Sequence, residues 1–243
     1  MRNIFGATDV GMVRATNQDV FKAEVLSDAL AFAILCDGMG GEKGGNVASQ
    51  ITSDYAYEAL KRELSAGLSE TSLRSVLFSV VAGANALVHE AAGKDEDLSH
   101  MGTTIILAVF LRATLYIACV GDSRAYIVSQ TRELQLTRDH TVVQMLVDIG
   151  EITPEDAKVH PKRHLITRAI GAEPSVDADF IVQDLSPDDI VLLCSDGLYN
   201  YLEPGTFYDI LKRCADEKSA STLIDIAKER GGADNITAVV CSN

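Results

Sequence analysis

Five aspartates stand where surface charge is a poor explanation for them. Asp37 and Asp196 end apolar runs and are followed by glycine, in FAILCDG (32–38) and IVLLCSDGL (190–198). Asp122 closes a third run, after a glycine, in IACVGDSRAY (117–126). Asp19 lies in RATNQD (14–19) and Asp234 in GGADNIT (231–237), both tight polar contexts. A single Asp-Gly is a turn, because Asp bonds nearby backbone and Gly accepts positive φ. Repetition at the ends of apolar strands says more: it sets carboxylates on the rim of a sheet, where their repulsion is costly unless something cancels it. Hard divalent cations do so. Mg²⁺ or Mn²⁺ takes oxygen ligands, keeps several waters and uses few carboxylates per ion, and a neighbouring glycine lets a backbone carbonyl come close.

Other chemistries lack their residues. The five cysteines (Cys36, Cys119, Cys194, Cys214, Cys241) form no C-x-x-C pair, and HEAAG (89–93) has Gly where a zinc protease needs its second histidine. GMGGEKGG (38–45) suggests a phosphate cradle, yet Lys43 is followed by Gly rather than Ser or Thr, and no G-x-S-x-G elbow occurs.

Something must hold the acids in place. Short segments rich in Val, Ile, Leu and Ala predict strands near 3–8, 20–25, 30–36, 103–111, 113–120, 124–129, 177–184, 189–195 and 235–241. Helical periodicity runs over 45–66, with Val47, Ile51, Tyr55, Ala59 and Leu60 on one side. It returns over 70–93, with Leu73, Val76, Leu77, Val80, Ala84 and Leu87. Further helices are expected near 141–149, 204–215 and 219–230. Strands and helices come in groups, which argues against a doubly wound parallel sheet and for antiparallel sheets with helices on their outer faces. No linker or repeat divides the chain, so residues 1–243 read as one domain. Residues 140–171 look like an insertion, with a helix start at Thr153–Pro154 and a positive spot at HPKRH (160–164).

With 47% hydrophobic residues the chain can bury a substantial core, and its net charge of −14 without a basic block argues against nucleic-acid binding. An odd cysteine number favours a reducing compartment. No leader opens the sequence and no apolar run nears 18 residues, so a cytoplasmic protein without membrane contact is expected.

The motifs in order resemble one family. DVGMVRATNQD (9–19), CDGMGGEKGGNVAS (36–49), MGTT (101–104), VGDSRAY (120–126), LTRDHT (136–141), HLITRAIG (164–171), LLCSDGL (192–198) and DNIT (234–237) are similar, end to end, to the compact bacterial form of the phosphatase 2C-like, metal-dependent protein serine/threonine phosphatases. The resemblance implies an α+β fold, a β-sandwich of two antiparallel sheets flanked by helices on both outer faces. It implies a binuclear Mg²⁺/Mn²⁺ centre with a third, weaker ion. Asp37 would bridge two ions and Gly38 would lend its carbonyl. Asp196 and Asp234 would bind the second ion, Asp19 would act directly or through water, and Asp122 would hold the third with Asp196. Arg14 would grip the substrate phosphate, and 140–171 would be a flap beside the cleft. The reaction implied is hydrolysis of phosphoserine and phosphothreonine by in-line attack of a water or hydroxide bridging two ions. The partners implied are phosphorylated proteins, a Ser/Thr kinase and its targets, with the enzyme itself a monomer. Two positions depart from better-known relatives: Met39 stands where some carry a histidine thought to protonate the leaving group, and Gln18 where some carry glutamate. That leaves the proton to water on the third ion, or to His140 or His164.

Overall fold

The computed structural model describes residues 3–242. Five strands, β1 (Asn3–Asp9), β7 (Arg124–Ser129), β8 (Arg132–Gln135), β10 (Ile190–Cys194) and β11 (Ile236–Ser242), form one sheet in the order β1-β11-β10-β7-β8. The other sheet takes β2 (Asp19–Ser27), β3 (Leu30–Met39), β5 (Ile105–Leu111), β6 (Thr114–Val120) and β9 (Asp179–Asp184) in the order β2-β3-β5-β6-β9, with β4 (Gly102–Thr103) beside the end of β3. Every pairing is antiparallel.

The two-residue period of a strand sorts its side chains into layers. On β3, Phe32, Ile34 and Cys36 face outward into a core shared with helices α1 (Gly41–Glu63) and α2 (Glu70–Ala92). Ala31, Ala33 and Leu35 face inward and meet Val191, Leu193, Val239 and Cys241 of the opposing sheet. On β10 and β11, Ile190, Leu192, Cys194, Ile236, Ala238 and Val240 face outward, towards the short helix α5 (Asp196–Tyr199) and the helices α6 (Phe207–Glu217) and α7 (Ser221–Glu229). The expected four-layer sandwich is therefore present, and strands covered on both faces read as unbroken apolar runs.

Several expectations change in detail. The strand predicted over 103–111 is split: β4 stays with β3, and Thr104 turns before β5. β8, of sequence RELQ, and the single turn α5 carry no apolar run and were not expected. Leu87 is exposed, because the buried stripe of α2 drifts to Val81, Asn85 and Val88. By length and composition α2 could span a membrane, and here that stripe packs on the second sheet.

Residues 140–171 carry α3 (Val142–Asp148) and α4 (Pro154–Val159), the latter started by a reciprocal Thr153/Asp156 cap. Both ends of this segment are tied to the sandwich. The His140 N–H bonds the Gly121 carbonyl at 2.9 Å, and Ile170 forms an isolated bridge to Thr103.

Candidate metal centre

One end of the sandwich opens into a cleft of about 610 Å³ lined by Arg14, Asp37, Gly38, Asp122, Asp196 and Asp234. The acids arrive from both sheets. Asp37 ends β3, Asp122 follows β6, Asp196 opens α5 after β10, and Asp234 precedes β11. Asp19 lies just behind the wall, directly opposite Asp37 in the β2–β3 register.

Asp37 and Asp19 have dedicated supports. The Asp37 N–H bonds Thr104 Oγ1 at 2.9 Å, while its carbonyl accepts from Thr104 N–H at 2.9 Å and Thr103 Oγ1 at 2.8 Å. The MGTT motif is thus a brace for the end of β3. Ser195 Oγ donates to Asp19 Oδ2 at 2.7 Å and accepts from the Thr237 N–H at 3.0 Å, which ties an acid of one sheet to the backbone of the other. Asn235 pins the loop that carries Arg14. Its Oδ1 accepts from Gln18 N–H, and its Nδ2 donates to the Val10 and Thr16 carbonyls. Thr103, Thr104, Ser195 and Asn235 were given no role in advance. They lie inside recognised motifs, but a buried hydroxyl or amide has no periodicity to announce it.

Burial and mutual repulsion hold these carboxylates away from their usual ionisation. Burial, then the charges of Asp19, Asp196, Asp122 and Asp234, raise Asp37 well above the carboxylate range. Burial and the charge of Asp122 lift Asp196 to about 8, and burial with Asp139 lifts Asp122 to about 7. Asp19 is raised to about 6, mainly by burial. Its Oδ1 is buried with no hydrogen-bond partner. An orphaned buried carboxylate oxygen beside three other strained acids is the donor set a hard dication satisfies. Among the described residues no three acidic, histidine or cysteine side chains chelate a single point by themselves.

Arg14 lines the cleft already paired. Its guanidinium donates to Asp234 Oδ2 at 2.8 Å, so it pairs with an acid expected to hold an ion. Gln18 donates through Nε2 to the Gly41 carbonyl at 2.6 Å. Met39 and His164 line the cleft or its rim. His140 does not line it: buried at the start of the 140–171 segment, its Nδ1 accepts from Gly121 N–H at 3.1 Å and its Nε2 faces Asp179 at 3.3 Å.

Known proteins share both the sequence and this shape. Residues 13–226 match the family described as protein phosphatase 2C. The serine/threonine phosphatase stp of Listeria welshimeri is 37% identical over 235 residues, covering 96% of this chain and 92% of that protein. The structure of serine/threonine phosphatase Stp1 from Staphylococcus aureus superposes with a TM-score of 0.90 at 30% identity, over 100% of this chain and 95% of that one. The catalytic domain of the phosphatase PstP, solved in complex with two manganese ions, superposes at 0.85 with 34% identity, over 99% and 97% of the two chains. With likeness of that extent in sequence and in shape, and the acids gathered at one end, the chain belongs to the protein phosphatase 2C family.

Proposed function

We propose that this chain is a metal-dependent protein phosphatase that hydrolyses phosphoserine and phosphothreonine. The observation that carries the reading is the gathering of Asp37, Asp122, Asp196 and Asp234, from both sheets, around one cleft whose mouth holds Arg14. Asp37, Gly38, Asp196 and Asp234 are the residues to hold two Mg²⁺ or Mn²⁺ ions, with Asp19 behind them and Asp122 sharing a third, weaker ion with Asp196. When bound, such ions supply positive charge against the phosphate dianion and make a water acidic enough to serve as nucleophile near neutral pH.

The protein's own groups do the rest. Arg14 offers a planar fork that fits two phosphate oxygens. One Arg14 nitrogen donates to Asp234 Oδ2, and the guanidinium's other N–H groups are left to meet a phosphate. The entering water forms the new P–O bond as the bond to the serine or threonine oxygen breaks, giving inorganic phosphate and the free hydroxyl. That leaving oxygen needs a proton. Met39 has none to give, and His140 is engaged on both ring nitrogens. Water beside Asp122 is the donor we assign.

We also take residues 1–243 as one catalytic domain with a flap over 140–171, acting as a monomer in the cytoplasm on phosphoproteins made by a Ser/Thr kinase. The support for the compartment is that all five cysteines are buried free thiols. The test is phosphate release from a phosphothreonine peptide with Mn²⁺. Asp37→Ala should lower kcat about a thousandfold, and excess EDTA should abolish turnover. Undiminished activity in either case ends this reading.

A further inference from the structure

A second cavity, of about 630 Å³, opens from the catalytic cleft beneath the flap and shares Asp122, Asp196 and His164 with it. Its floor is rigid. The Arg124 guanidinium forks onto Asp139, with Nη2 to Oδ2 at 2.6 Å and Nε to Oδ1 at 3.0 Å, and lies 3.6 Å over the centre of the Tyr199 ring. Its far wall is equally fixed, because Glu133 accepts from the Gly205 and Phe207 N–H groups and holds the loop before α6. Its lining is mixed: polar side chains, Asp122, Glu133, Asp139 and Asp196 among them, are interspersed with apolar ones. Val147 and Ala157 come from α3 and α4 of the flap, and Leu202, Pro204 and Phe207 from the opposite side.

The mouth carries charge of an unusual kind for this molecule. Lys158 and Arg163 line the cavity from the flap, and neither forms an ion pair among the described residues, although fifteen pairs engage most other cations of this acidic chain. A cavity with apolar side chains on both its flap side and its opposite side, continuous with the phosphate cleft and edged by unmatched cations, fits an extended polypeptide. We propose that this cavity seats a bulky apolar side chain of the substrate next to the phosphorylated residue, with an acidic neighbour of that side chain meeting Lys158 and Arg163. The inference rests on the phosphatase reading and narrows its substrate class to phosphopeptides with an apolar residue and an acid flanking the phosphate.

The test compares the wild-type enzyme with Ala157→Phe, which fills the cavity from the flap, and Lys158→Glu, both with Mn²⁺. The substrates are p-nitrophenyl phosphate and phosphothreonine peptides bearing either Leu or Ser on both sides of the phosphothreonine, each with or without a following Glu. The wild type should favour the Leu peptides by about tenfold in KM. Ala157→Phe should erase that preference while p-nitrophenyl phosphate turnover, which reports folding and the phosphate site, stays within about twofold. Val147→Phe, reaching the same space from α3, should do likewise, so a folding defect in one variant does not decide the matter. Lys158→Glu should raise KM about threefold to tenfold for the Glu peptides alone. Equal peptide constants for wild type and filled variants overturn the cavity's role and leave the phosphatase reading standing. No hydrolysis of any peptide by the wild type, with p-nitrophenyl phosphate still turned over, overturns both.

Discussion

Gly38 has no room for a side chain. A Cβ there would lie 2.1 Å from the Gly45 carbonyl oxygen and 2.5 Å from its carbon, both backbone atoms of the first turns of α1. The approach that excludes a methyl group is what seats the helix start against the end of β3, next to Asp37. Gly38→Ala should therefore cost about 2 kcal/mol, a fall in Tm of about 4–8 °C for a chain this size, and should reduce kcat more than a destabilisation of that size would. Thermal melts and initial rates below the transition check it. Arg14 presents the opposite case. Its pair with Asp234 is half exposed, with 53% of the Arg14 side chain accessible, and such pairs contribute ~0–1 kcal/mol. Arg14→Ala should leave the melt within about 3 °C and raise KM for phosphoesters at least about tenfold. An unchanged KM would make the arginine a mere partner of Asp234.

At the scale of elements, the site depends on loops fastened by single polar side chains. Asn235 ties both ends of the β1–β2 loop, through the Val10 and Thr16 carbonyls and the Gln18 N–H, beside one direct tie from Asn17 Nδ2 to Thr8 Oγ1 at 2.8 Å. Asn235→Ala removes three hydrogen bonds to the loop backbone, one buried and two part-buried, at about 1 kcal/mol each. It should lower kcat/KM about tenfold with most of the change in KM, since Arg14 rides on that loop. Steady-state kinetics at fixed Mn²⁺ would show it, and an effect confined to kcat would contradict it. Such fasteners explain what could be read in advance and what could not. β3, β5, β10 and β11 were legible because burial on both faces writes a continuous apolar run. Asp37, Asp122 and Asp196 were legible because they end apolar runs, and Asp19 and Asp234 because they lie in recognisable motifs. β8 is a short polar edge strand, and α5 is one turn that begins on a metal-site candidate, so neither offers a period to follow. Leu87 misled because helical periodicity fixes a stripe only to within a residue or so, and the packed sheet chose the Val81–Asn85–Val88 side. Arg14's pairing with Asp234, across 220 residues of chain, is a tertiary fact with no local signature.

For the whole molecule, concentrated buried acids make stability depend on pH and on dications together. Asp19, Asp122 and Asp196 titrate at about 6, 7 and 8 in the folded protein, and Asp37 is raised as well. Their unfolded values lie near ~4. The native state therefore holds protons that the unfolded chain has lost, so this stability is full below about pH 4 and is lost as pH rises through about 6 to 8. His140, lowered chiefly by burial, works in the opposite sense, one group against four. In EDTA, Tm should decline between about pH 5 and pH 8.5, and Mn²⁺ should restore more of it at the alkaline end. Scanning calorimetry across that range decides, and a Tm that climbs with pH in chelator would refute the account.

One pairing already described bears on how the chain comes to be folded at all. β11 lies between β1 and β10, so two strands more than two hundred residues apart must meet before this sheet is whole. Until Ile236–Ser242 is in place, β1 has no partner in its own sheet, and Asp234 has not been delivered to the end where its fellow acids wait. A folding intermediate without that pairing would hold most of a sandwich with an unsealed seam, prone to pair with strangers. Sealing the seam and completing the ring of acids are a single event.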